Sequence, residues 1–254
     1  MFEDPNLIDA MIPGQKIMAI FGFCDIRNFT DATEVLEADV MVFVNEIAAI
    51  CHKEVYEHLG SPNKNIGDAF LLVWKFSQED VKVTQMENED VLELIPSSRV
   101  SQLADLAVLS LVNMTASIAR SEILQKYKHN KGLQSRIPNY FGPKMGFGLH
   151  VGWAIEGPIG SEYKIDASYL GPDVHMASRL EGATKGYETG LLITGALYDL
   201  MTESKSYLRQ VDRVIPEGDT EMMDLYTVDL NPRHLFEEMS VEVIRTLVGK
   251  EKKM

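Results

Sequence analysis

FGFCDIRNFT (residues 21–30) opens on four apolar or small residues, meets the acid Asp25 and then turns polar. NKNIGDAFLLVW (63–74) does the reverse, with a turn and Asp68 leading into an apolar run. Residues 17–25 predict one buried strand and AFLLVWKF (69–76) another. Neighbouring strands stand about 5 Å apart, so pairing of these two brings their terminal carboxylates to a common point. A carboxylate at a buried edge is costly unless a cation meets it. Taken singly, Asp25 and Asp68 read as turn residues or as partners of Arg27. Taken together, they suit Mg²⁺ or Mn²⁺, which keep water and substrate phosphates as their remaining ligands. The segment after Asp25, including Phe29 and Thr30, starts a helix or turn whose backbone N–H groups can hold phosphate oxygens.

Outward from these strands, Val40, Phe43, Val44, Ile47, Ala48, Cys51 and Val55 recur at helical spacing, which predicts a helix over 40–59 ending at Gly60. Residues 77–99 are acidic and weakly patterned and read as a surface loop, and 100–127 as one long helix with Ser101 as its cap. Residues 130–143 read as loop, and KMGFGLHVGWAIEG (144–157) as a strand or hairpin whose glycines allow close backbone approach. Helices over 173–185 and 195–202 flank a short strand at 190–194, and YLRQVDRV and EMMDLYTVDL pair as closing strands. This order predicts one α+β domain with a ferredoxin-like βαββαβ core sheet, helices on one face and an insertion near 77–143. The domain spans 17–230, after a lead of 1–16 and before an amphipathic, helical tail at 231–254.

The 254 residues carry a formal charge of −14 with no Lys/Arg-rich run, which argues against a nucleic acid or an anionic membrane as the main partner. Cys24 and Cys51 fall in an apolar strand and an apolar helix stripe and read as reduced core residues of a cytosolic protein. No run approaches the roughly 18 uninterrupted apolar residues of a membrane span, and no signal-peptide core opens the chain. The expected setting is the cytoplasm, either alone or as the cytosolic part of a larger membrane protein. His150 reads as a packing residue, and His52 and His58 as surface.

FCDIRNFT, KNIGDAFLLVW, MGFGLHVGWAIEGPIGS and VHMASRLEGATK resemble, in order and spacing, the catalytic domain of class III nucleotidyl cyclases, most closely those of protist adenylyl cyclases. The resemblance covers roughly residues 17–230. It implies that Asp25 and Asp68, with the Ile26 carbonyl, hold two Mg²⁺ or Mn²⁺ ions. It implies that Lys64 and Ser168 read the base and that Arg179 stabilises charge on the α-phosphate. Lys64 donates to adenine N1 and the Ser168 hydroxyl accepts from N6, whereas guanine reverses that polarity. The implied reaction is ATP to 3′,5′-cyclic AMP and pyrophosphate, at an interface between two chains. A homodimer supplies both halves of each site, and a cyclase-like heterodimer is the alternative. Guanylyl cyclase activity is the alternative substrate choice. A diguanylate cyclase would carry a GG[DE]EF-like stretch, and none is present.

Two positions depart from the family pattern. His175 stands where the family has a ribose-orienting Asn, and IPEGDTE (215–221) replaces a lysine-bearing turn with Glu217 and Asp219. Losing one positioned donor costs about 10²–10³ in rate. A catalytically weakened, regulatory cyclase-like domain is therefore the competing reading.

Overall fold

The computed structural model describes residues 11–86, 89–161, 163–218 and 220–230. Most of the lead and the whole tail from 231 lie outside the described residues, as does Asp219.

The first half of the chain forms β1 (Gln15–Ile26), α1 (Phe29–Leu36), α2 (Val40–Glu57), β2 (Ser61–Ile66) and β3 (Ala69–Lys75). A hairpin of β4 (Val81–Met86) and β5 (Glu89–Leu94) follows, then α3 (Ser98–Arg120), α4 (Gln125–Lys128) and α5 (Lys131–Arg136). The second half consists of β6 (Met145–Ser161), β7 (Lys164–Leu170), α6 (Pro172–Ala183), β8 (Leu191–Thr194), α7 (Gly195–Leu200), β9 (Leu208–Val214) and β10 (Met223–Val228).

β1 is central because both of its faces are apolar, and it pairs antiparallel with β3 on one side and β6 on the other. The sheet runs β2-β3-β1-β6-β8-β10-β9, with β7 paired to the far end of β6. Its first four strands, with α2 and α3, form the expected βαββαβ unit. The apolar stripe of α2 (Phe43, Ile47, Cys51) and that of α3 (Val108, Leu111, Met114) bury against Ile20, Cys24, Leu72 and Trp74. Burial pushes the Cys24 thiol well up, Cys51 lies beside it, and both thiols are free.

The expectation of helices on one face is met by α2 and α3 but not by α6. That helix covers the opposite face over β1 and β6, where Val174 and Ala177 meet Ile17, Ala19 and Phe21, because β1 is apolar on both sides. Glycine makes that approach possible. A Cβ at Gly148 would collide with the backbone of Ala177 and Glu181.

Four local expectations need correction. Residues 77–99 are not a loop, since Val81 and Val83 alternate opposite Leu92 and Leu94 in the β4–β5 hairpin. The interleaved charges, Lys82 and Glu93, hide that period of two. α3 starts earlier than expected and is capped by Ser97, whose hydroxyl accepts from Val100 N at 3.2 Å, rather than by Ser101. It also stops at Arg120 rather than 127, because Ser121 leaves helical geometry and its Oγ accepts from Leu124 N at 3.3 Å. Leu124 and Tyr127 stay buried beyond the break, so the apolar spacing runs through it. Within 130–143, Asn130 caps the short helix α5 by accepting from Leu133 N at 3.1 Å, and Leu133 anchors it in the core. By length and composition α3 could cross a membrane, since Ser, Asn and Thr punctuate its apolar run without lowering the mean enough, but here it is the core helix packed on α2.

Candidate active site

Antiparallel pairing of β1 and β3 sets Asp25 opposite Ala69, and Ile26 N donates to the Asp68 carbonyl at 3.2 Å. The tight turn from β2 into β3 uses Gly67 at φ +65° to deliver Asp68 to the same end of the sheet. The two acids predicted to converge therefore do so. Burial, then the charges of Glu181 and Asp68, push the Asp25 carboxyl up to about 6. Lys185 and Arg27 offset this only in part.

Arg27 is not the missing counter-ion. Its Nη1 donates to Glu181 Oε1 at 2.6 Å and its Nη2 to Thr184 Oγ1, both at the end of α6. The Asp25–Asp68 end thus concentrates negative charge, and oxygen donors of this kind fit a hard divalent cation. Among the described residues no three His, Cys, Asp or Glu side chains form a metal cluster. A cation here would complete its shell from backbone carbonyl, water and phosphate.

Asn28, at φ 57°, turns the chain from β1 into α1. No side chain caps that helix, so the first-turn N–H groups around Phe29 and Thr30 remain for an anion. Thr30 is exposed, whereas the Phe29 ring packs against the core. Any contribution of Phe29 to ligand binding is therefore through its backbone.

Lys64 and Ser168 come together. The ammonium donates to the hydroxyl at 3.0 Å, joining β2 to β7. A bulge between Pro62 and Lys64 shifts the strand register there, and Asn63 Nδ2 donates to the Ala167 carbonyl at 3.4 Å. Lys64 is half-buried and Ser168 buried.

His175 and Arg179 lie one helical turn apart on the exposed side of α6. Arg179 Nη1 donates to the Glu217 carbonyl at 3.1 Å, so the acidic turn meets the predicted catalytic arginine directly. Asp173, in the first turn of α6, accepts from Trp153 N at 2.7 Å and meets His150 Nε2 at 3.2 Å. His150 Nδ1 contacts Thr194 Oγ1 at 2.9 Å, which agrees with a packing role. His58 is not a surface residue: its ring lies between the Glu54 carbonyl at 2.6 Å and Asn113 at 3.0 Å.

A cavity of about 870 Å³ lies between the end of α3, the start of β6 and β10, and no predicted site residue lines it. The predicted residues instead lie elsewhere: the part-buried acids at one strand end, half-buried Lys64 and buried Ser168 on the β2–β7 side, and exposed His175 and Arg179 on α6.

The profile of the adenylate and guanylate cyclase catalytic domain family matches residues 15–229. The chain belongs to this class III cyclase family. The domain is 26% identical over 209 residues to an adenylate cyclase of Anabaena cylindrica, covering 81% of this chain and 36% of that one. It is 28% identical over 216 residues to the terminal-differentiation-specific adenylate cyclase of Dictyostelium discoideum, covering 84% of this chain and 9% of the relative. The chain thus spans little more than a third of the length of one of these relatives and under a tenth of the other. Among solved structures, a bacterial light-regulated adenylyl cyclase superposes with a TM-score of 0.63 at 20% identity, over 94% of this chain and 58% of the other. The guanylyl cyclase Cya2 does so at 0.61 and 21% identity, over 85% and 94%. At such identities the cyclase fold is shared, and both substrate classes occur among its neighbours.

Proposed function

We propose that this cyclase domain is an adenylyl cyclase, converting ATP to 3′,5′-cyclic AMP and pyrophosphate with two divalent metal ions. The observation that carries the choice of ATP is the Lys64–Ser168 contact at 3.0 Å. An ammonium donor beside a hydroxyl acceptor matches adenine N1 and N6, and it opposes the guanine N1–H.

Asp25 and Asp68 hold the cations, with the Ile26 carbonyl as a backbone ligand. The bound ions supply charge neutralisation for the triphosphate and a lowered pKa for the ribose 3′-hydroxyl. The first-turn N–H groups at Phe29 and Thr30 hold phosphate oxygens. The 3′-oxygen attacks the α-phosphorus in line, the bond to the bridging oxygen breaks, and pyrophosphate leaves. Arg179 donates to the charge that develops there. Each site takes its aspartates from one chain and Lys64, Ser168, His175 and Arg179 from a second copy, which makes a homodimer with two equivalent sites. The exposure of His175 and Arg179 on α6, apart from the 870 Å³ cavity, supports completion by a partner.

A second reading, a weakened domain serving as partner to another cyclase chain, is favoured by one contact. Arg179 is engaged by the carbonyl of Glu217, in a turn that lacks the family's lysine. Assaying the purified protein with Mn²⁺ and either ATP or GTP separates the readings. Cyclic AMP formed in excess over cyclic GMP supports the first. Turnover of neither nucleotide alone, restored by a second cyclase chain, supports the other.

A further inference from the structure

Arg27 directly follows Asp25 and Ile26, yet its guanidinium is bound to α6, through Glu181 Oε1 at 2.6 Å and Thr184 Oγ1. Its backbone N donates to the Lys144 carbonyl at 2.8 Å, fixing the same loop to the entrance of β6. The slot for the guanidinium exists because residue 146 is glycine, since a Cβ there would overlap both Arg27 and Glu181. The Glu181 side chain is only 9% exposed and that of Arg27 16%, so each desolvated charge depends on the other. Glu181 is also the nearby charge that acts most strongly on Asp25. Without Arg27, the proposed metal site would face a third, uncompensated carboxylate.

We propose that Arg27 and Glu181 form a charge-neutral strut that ties the metal loop to the end of α6 and removes Glu181 from the charge balance of the metal site. This rests on the metal reading given above. Arg27 acts here as a positioning residue. The helix it holds carries His175 and Arg179, so in a dimer with shared sites the strut joins the metal half of one site to the arginine half of the other.

The test is Mn²⁺ binding to nucleotide-free protein, followed by electron paramagnetic resonance of the free ion. Arg27→Gln leaves an extra negative charge and should tighten Mn²⁺ binding on the order of tenfold, whereas Glu181→Gln leaves an extra positive charge and should weaken it by a similar factor. The double variant should return to within about threefold of the parent, because the two charges cancel. Arg27→Lys keeps the charge and should bind as the parent does. A loosened fold would weaken binding in both single variants, so opposite signs mark the electrostatic role. Shifts of the same sign in both single variants, or no shift in either, overturn the strut. If Arg27→Gln does not fold, weaker binding by Glu181→Gln with parent-like Arg27→Lys supports it, and parent-like Glu181→Gln overturns it. Mn²⁺ binding that survives Asp25→Asn combined with Asp68→Asn overturns the metal reading itself. Binding lost there but indifferent to the charges at 27 and 181 overturns the strut alone.

Discussion

Lys64 and Ser168 stand 104 residues apart in the chain, yet the ammonium of one donates to the hydroxyl of the other at 3.0 Å. Each group holds the other's rotamer, so in the proposed base-reading role the pair would have little left to reorganise. Inverting both polarities, with Lys64→Glu and Ser168→Cys, should lower kcat/KM for ATP by on the order of 10² and raise that for GTP. Steady-state assays with each nucleotide read this directly. A double variant that still prefers ATP would put base selection elsewhere.

The second prediction follows from Asp25. Its carboxyl titrates at about 6 in the fold against 3.8 in the unfolded chain. The folded state therefore binds more protons than the unfolded one between those values, and metal-free stability falls as pH rises from about 4 through 6. Divalent metal should reverse the loss above pH 6, where the carboxylate is ionised. Thermal melts of the parent in chelator should give a lower Tm at pH 8 than at pH 5, and Asp25→Asn should flatten the difference. Added Mn²⁺ should raise the parent's Tm more at pH 8 than at pH 5. Turnover should be lost in Asp25→Ala and Asp68→Ala without unfolding, and activity persisting in either variant under chelator would exclude the two-metal assignment.

The convergence of Asp25 and Asp68 was legible in the sequence because strand pairing fixes their separation once both apolar runs are recognised. The fate of Arg27 was not. Its local neighbour Asp25 looked like a natural partner, and only the packing of α6 over β6 brings Glu181, 154 residues away, to the guanidinium. Glu181 is buried whereas Arg179, two residues before it on the same helix, is exposed. The glycines of β6 did signal close approach, though not by what. Local periodicity also misled where charge overlies it, as in the β4–β5 hairpin, and where apolar spacing outlasts the helix, as after Ser121.

The third prediction concerns the seat of α6. Gly148→Ala puts a methyl against the backbone of Ala177 and Glu181, which are not flexible side-chain ends. Overpacking of this kind costs about 1–3 kcal/mol. Chemical denaturation should show a lower midpoint with an unchanged m-value. Because the displaced helix carries Arg179, kcat should fall further than the loss of folded protein explains. Full activity per folded molecule would mean that the position of α6 is not what sets the rate.

The last prediction takes the two departures on the arginine side together. Arg179 is exposed, and its recorded contact is the Glu217 carbonyl at 3.1 Å, on a turn where the family carries a lysine. If the arginine donates to charge that develops only in the transition state, Arg179→Ala should lower kcat by about 10²–10³ and change KM for ATP much less. Replacing Glu217 by Lys keeps the backbone carbonyl that holds Arg179 while exchanging an acidic side chain for a donor on the side of the proposed triphosphate site. That variant should raise kcat, and it should do nothing in an Arg179→Ala background if both groups act on the same oxygens. His175→Asn restores the family's ribose-orienting amide one turn away on the same helix, and should leave the rate equal or higher. Steady-state kinetics with Mn²⁺–ATP on the four variants checks the set. A large rise in KM with unchanged kcat in Arg179→Ala would mean that the arginine binds substrate and transition state alike. A His175→Asn variant much slower than the parent would mean that the imidazole has been recruited for a task the amide cannot perform.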